Sequence, residues 1–180
     1  MPILGIIASS FATGGDYESI ATYVVGAGGA TDITFSSIPA TFKHLQIRCI
    51  ARNTVGNSTV GLRFNSDSGA NYATHRLVGT GATVNANAAT SAVSADGGTF
   101  VISANANTFG VVIFDVLDYA GTNKNKTVKH LGGWDANGSG QIGLLSSLWL
   151  NTSAITNIVL LCDANNFAQH SHFALYGIKG

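Results

Sequence analysis

His170 and His172 stand two positions apart, a spacing that on an extended strand puts both imidazoles on one face and suits two metal ligands. Ala174 and Tyr176 continue that face, and spacing places no third ligand. The run DANGSG at 135–140 opens like a calcium loop, but Ser146 stands where such a loop carries its bidentate glutamate. A tight turn is the expectation there, and likewise for NSDSG at 65–69. Glycoside hydrolysis needs two carboxylates flanking one bond. Asp115 and Asp118 fall on opposite faces of one strand, and the single glutamate, Glu18, lies on another. There is no nucleophile elbow, no zinc-protease motif and no phosphate loop. GAGG at 26–29 sits between two strand patterns and reads as a turn. The expectation is therefore a protein without catalytic residues, cofactor or metal.

Binding chemistry has more material. Arg48, Arg52, Arg63 and Arg76 are all the arginines, and they fall within one short stretch. A hairpin joining 44–52 to 60–65 would put Arg48, Arg52 and Arg63 on one outward face, able to grip carboxylates of a partner. An ordinary solvated face with local pairing to Asp67 is the alternative. Trp134, Trp149 and Tyr119 could stack on sugar rings. Cys49 and Cys162 lie far apart in apolar runs and read as small core residues, with one long-range disulfide as the alternative.

These side chains must be positioned by strands. The chain has 180 residues, nine Lys plus Arg against nine Asp plus Glu, and only 10% charged residues. That balance argues against a nucleic-acid binder, which needs a basic surplus. No apolar run approaches the length of a membrane span. Gly, Ala, Ser, Thr and Asn dominate, and alternation has period two almost throughout. Strands are predicted at 17–25, 31–36, 44–52, 59–65, 72–78, 99–104, 109–119, 126–134, 141–150, 155–163 and 169–179, with Gly, Asn and Asp in the gaps. The fold class is all-β, an antiparallel β-sandwich of eight to ten strands, of the jelly-roll kind. Residues 79–98 read as a long loop, with a short strand at its centre as the alternative. The domain plan is an N-terminal arm at 1–15 and one sandwich domain at 16–180.

Strands near 109–119 and 155–163 are apolar on both faces. A sandwich strand in a monomer should keep one wet face, so a subunit interface is expected, with Val112, Phe114, Val116, Ile158 and Leu160 facing a neighbour, and loops folded over those faces as the alternative. The arm carries Ile3, Leu4, Ile6 and Ile7, too few for a core of their own. It is expected to dock in extended form on a neighbouring subunit or a shell protein, with packing against its own domain as the alternative.

The segments MPILGIIASS, YESIAT, FSSIPATFKHLQIR, RFNSDSGANYATHRL, FDVLDYAGTNKNKTVKHLGGWDANGSG and FALYGIKG resemble a group of small structural proteins of tailed bacteriophages. The resemblance covers nearly the whole chain and implies a virion protein, made in the host bacterial cytoplasm. Two functions follow from it. One is a capsid-decorating or cement protein, a homo-oligomer (a trimer by the habit of phage jelly rolls) seated on the major capsid protein. The other is a tail-associated fibre or receptor-binding module recognising host carbohydrate. Neither involves a membrane or nucleic acid.

Overall fold

The computed structural model describes residues 15–96, 101–102, 105–163 and 165–180. Among them there is no helix and there are fourteen strands. These are β1 (Tyr17–Val24), β2 (Asp32–Phe35), β3 (His44–Ala51), β4 (Asn57–Ser58), β5 (Val60–Phe64), β6 (Tyr72–Gly79) and β7 (Val84–Ala92). They continue as β8 (Ala95–Asp96), β9 (Val101–Ile102), β10 (Gly110–Leu117), β11 (Lys126–Asp135), β12 (Gly140–Trp149), β13 (Ile158–Cys162) and β14 (His172–Ile178). An eight-stranded sheet runs β1-β14-β3-β10-β11-β12-β6-β7, and a four-stranded sheet runs β2-β13-β5-β8. Every strand pair is antiparallel. The all-β sandwich read from period-two alternation is the fold observed.

Alternation builds the core directly. Along β10, Val112, Phe114 and Val116 are buried while Val111, Ile113 and Leu117 are exposed. Ile158 and Leu160 of β13, with Val60, Leu62 and Phe64 of β5, close the core from the smaller sheet. Phe64, Tyr72 and Trp149 form an aromatic cluster at one end, with ring centroids 5.6–6.4 Å apart. Turns fall where the left-handed backbone is needed. Asn137 and Gly138 have positive φ in the β11–β12 hairpin, and the Asn137 N–H bonds Asp135 Oδ1 at 2.7 Å. That calcium-like run is a turn, as its missing glutamate suggests.

Four expectations are corrected. The proposed 44–52/60–65 hairpin does not form, because β3 lies in the large sheet and β5 in the small one. Alternation shows which face of a strand is wet but not which strand it pairs with. Residues 79–98 are not a long loop: the strand at their centre forms and is long, since β6 turns back at 80–83 into the nine-residue β7. Both faces of β7 are exposed, so no alternation marked it. With β7 and the two-residue strands, fourteen replace eight to ten. Finally, Val112, Phe114, Val116, Ile158 and Leu160 fill the chain's own core and offer no surface to a neighbour.

Candidate interaction face

The wet side of the eight-stranded sheet is the unusual surface. Register aligns Ile113 with Leu131, Leu131 with Leu144, Leu144 with Leu77, and Leu77 with Ala86. A parallel row runs Ile50, Val111, Gly133, Ile142, Gly79, Val84. The nine larger side chains of the two rows, counted with Leu117, all stand partly in water, from 38% for Ile113 to 74% for Val84. Together they form an apolar face several strands wide, rather than hydrophobic residues scattered singly over the surface.

The face is grooved. One groove, of about 910 Å³, has Val111, Ile113, Leu131 and Ile142 along it and Phe109, Trp134 and Asp135 at its end. A second, of about 810 Å³, runs between Leu77, Ala86, Leu117 and Leu144. Gly133 is required between them and the strand beyond: a Cβ there would stand 2.7 Å from the Gln141 carbonyl oxygen. Any side chain would have to push the β11–β12 ladder apart.

Toward β1 the same face turns polar and ordered. The Arg48 guanidinium lies over the rings of Tyr17 (5.8 Å) and Tyr176 (5.3 Å), a cation–π arrangement. Arg48 Nε donates to Gln46 Oε1 at 2.7 Å, and Gln46 Nε2 donates to Asp115 Oδ1 at 2.8 Å. Lys129 stands opposite Asp115 in register. The polar groups Arg48, Gln46, Asp115 and Lys129 thus sit beside the apolar rows on the same face.

Elsewhere the titratable groups serve the interior. Burial pushes the His130 pKa down to about 3, partly opposed by the nearby Asp96 backbone. Its ring meets Phe114 edge-on at 4.8 Å, and neither ring nitrogen reaches hydrogen-bond geometry. Ser147, also on the inner side, shares its hydroxyl hydrogen bond with Thr74 at 2.7 Å rather than with His130. This buried group therefore has no nucleophile–base contact. Lys126 is fully buried and donates from Nζ to the carbonyls of Thr152 (2.9 Å) and Lys124 (3.1 Å). Burial lowers its pKa, with Lys124 adding to the effect and Asp118 opposing it. Among the described residues no cluster of three or more His, Cys, Asp or Glu gathers to hold a metal. His170 lies outside β14 with positive φ, so it does not continue the strand that His172 opens.

The structure separates the residues expected to act together. Arg48 points outward from the large sheet, and Arg63 from the small one, where Arg63 Nε donates to the Val93 carbonyl at 3.0 Å. They stand on opposite sides of the sandwich, so the single arginine face is corrected. Arg52 lies just past β3, half-buried, its backbone N–H bonded to Ser171 Oγ at 3.0 Å. Of the aromatics offered for sugar stacking, Trp149 and Tyr119 are buried in the core and only Trp134 reaches a groove. Both cysteines are free, Cys49 buried and Cys162 half-buried, so the long-range disulfide does not form. Ile3, Leu4, Ile6 and Ile7 lie outside the described residues. What sequence reading missed was the apolar face itself. Its signal lies in Val111, Ile113 and Leu117, on the side of β10 opposite the expected contact residues Val112, Phe114 and Val116. No protein-family model, no curated protein and no solved structure matches this chain.

Proposed function

We propose that the protein is a phage virion structural protein that works by docking, decorating the capsid as a homo-oligomer that binds and stabilises the major capsid shell. The observation that carries the docking part is the apolar region of the outer sheet face, of the kind that marks an interaction surface. The virion part rests on the resemblance of the chain's strand and turn segments to small tailed-phage structural proteins. The jelly-roll assignment, the absence of enzymatic activity and the virion location belong to this same proposal. The N-terminal aliphatics Ile3, Leu4, Ile6 and Ile7 are proposed as a further anchor to the shell. Cryo-electron microscopy of the purified particle tests the reading. Many copies on the shell, with the outer sheet face in contact, are expected; absence from the particle overturns it.

A second reading is favoured by one observation. Phe109, Trp134 and Asp135 are among the residues that line the larger groove near the β11–β12 turn, so rings and a polar group that could meet a sugar stand there. On this reading the chain is a tail-associated module for host carbohydrate. A few copies at the tail, together with glycan binding lost in Trp134→Ala, would select it over the first.

A further inference from the structure

Sheet edges carry unpaired N–H and C=O groups, and proteins protect them with short strands, bulges, charge or proline. Three of the four outer strands here are protected in these ways. β8 has two residues and β2 has four. β1 carries a register irregularity between Ser19 and Ala21 and an ion pair from Glu18 to Lys179. β7, the other end of the large sheet, is the longest and least protected: nine residues, VNANAATSA, with no charge and no proline, eight of them exposed, and a register irregularity only toward its far end, near Ser91. Its pairing with β6 is regular from Val84 to Ala89. It is also held in place. Arg76 donates to Asn87 Oδ1 and makes a 2.9 Å ion pair with Asp96, tying β7 to β8.

We propose that β7 pairs antiparallel with β7 of a second copy, joining two large sheets into one. The strand suits itself as a partner. With a two-fold axis at Asn87, Asn85 faces Ala89 and Ala86 faces Ala88 within the regular stretch, so small residues meet small ones and no like charges oppose each other. About six backbone hydrogen bonds form across such a stretch. An isologous contact closes on itself, which makes a dimer, not the trimer expected from the resemblance. It also brings the two apolar outer faces side by side, since their rows end at Val84 and Ala86 on this strand. The contact uses backbone at the edge and is independent of what docks on the face.

Light scattering of the full chain at about 50 µM is the test. The wild type is expected as a dimer. The double variant Asn85→Lys/Ala89→Lys places lysine opposite lysine twice, on the side of the sheet away from the apolar face, and should raise the dissociation constant at least tenfold with an unchanged circular dichroism spectrum. A second measurement guards against misfolding of that variant: with Cys162→Ser, Asn87→Cys should form an intermolecular disulfide on mild oxidation, while Val84→Cys, far from its counterpart, should not. A monomeric wild type, a double variant that dimerises as tightly, or equal crosslinking at both positions overturns the proposal. If Leu131→Asp dissolves the dimer and the β7 pair of lysines does not, the outer face is the self-contact. The edge proposal is then wrong while the docking reading survives.

Discussion

The Trp149 indole is buried to 1% exposure, so its N–H must find an acceptor inside the protein, and Asp67 Oδ2 supplies one at 2.7 Å. The Asn71 amide and the Gly69 N–H converge on the same carboxylate. These donors, the indole first, hold the Asp67 pKa below the usual carboxylate range. Asp67→Ala should cost about 2 kcal/mol, because a buried donor loses its partner, whereas Asp67→Asn keeps one acceptor oxygen and should cost less. Urea denaturation of both variants checks the order. His130 makes a pH prediction. Its folded pKa of about 3 lies below the ordinary 6.5, so the unfolded chain takes up a proton that the fold refuses. The stability associated with neutral His130 is complete above pH 6.5 and is lost as pH falls toward 3, at up to about 1.4 kcal/mol per pH unit. His130→Leu should flatten that dependence by one proton in denaturation curves between pH 7 and 4. An unchanged slope would contradict it.

On β10, the two faces of one strand separate folding from docking. Phe114 has no exposed surface and packs on the His130 ring, while its neighbour Ile113 stands 38% exposed in the apolar row. Phe114→Asp should unfold the chain, since an unpaired charge in the core costs more than about 4 kcal/mol. Ile113→Asp should leave the fold within about 1 kcal/mol of wild type but weaken attachment through the outer face. Thermal melts and particle co-sedimentation of the two variants distinguish these roles. The β11–β12 hairpin adds a backbone case. Gly133→Ala has no room against the Gln141 carbonyl, so it should lower the melting temperature although the position lies on the wet face.

For the whole molecule, the first and last described strands, β1 and β14, lie side by side at one end of the large sheet, while β7 ends the other. The apolar rows of the outer face run to the second end. An assembly built through the apolar end should be linked to concentration, because association stabilises the folded form by mass action. The melting temperature of the wild type should rise between about 2 and 200 µM, and it should stay flat in a variant carrying both Leu131→Asp and Asn85→Lys/Ala89→Lys. A flat wild-type curve would count against assembly by either surface.

Alternation by itself determined the fold class, most strand positions and the turns at 65–69 and 135–140, because each of these is a local property of burial or φ. It also showed that 109–119 was apolar on both faces. Only the tertiary structure decided which of those faces was core. Period two sorts residues into two sets but does not say which set a second sheet will cover. Pairing was undecided for the same reason: β3 lies beside β10 and β14, both far along the chain, and no local pattern in 44–52 names them. β7 was only faintly legible because neither of its faces is buried, so the hydrophobic signal that marks a strand is weak in it. The arginines diverged because the segment after β3 carries the chain from one sheet to the other, turning a presumed hairpin face into two opposite sides of a sandwich.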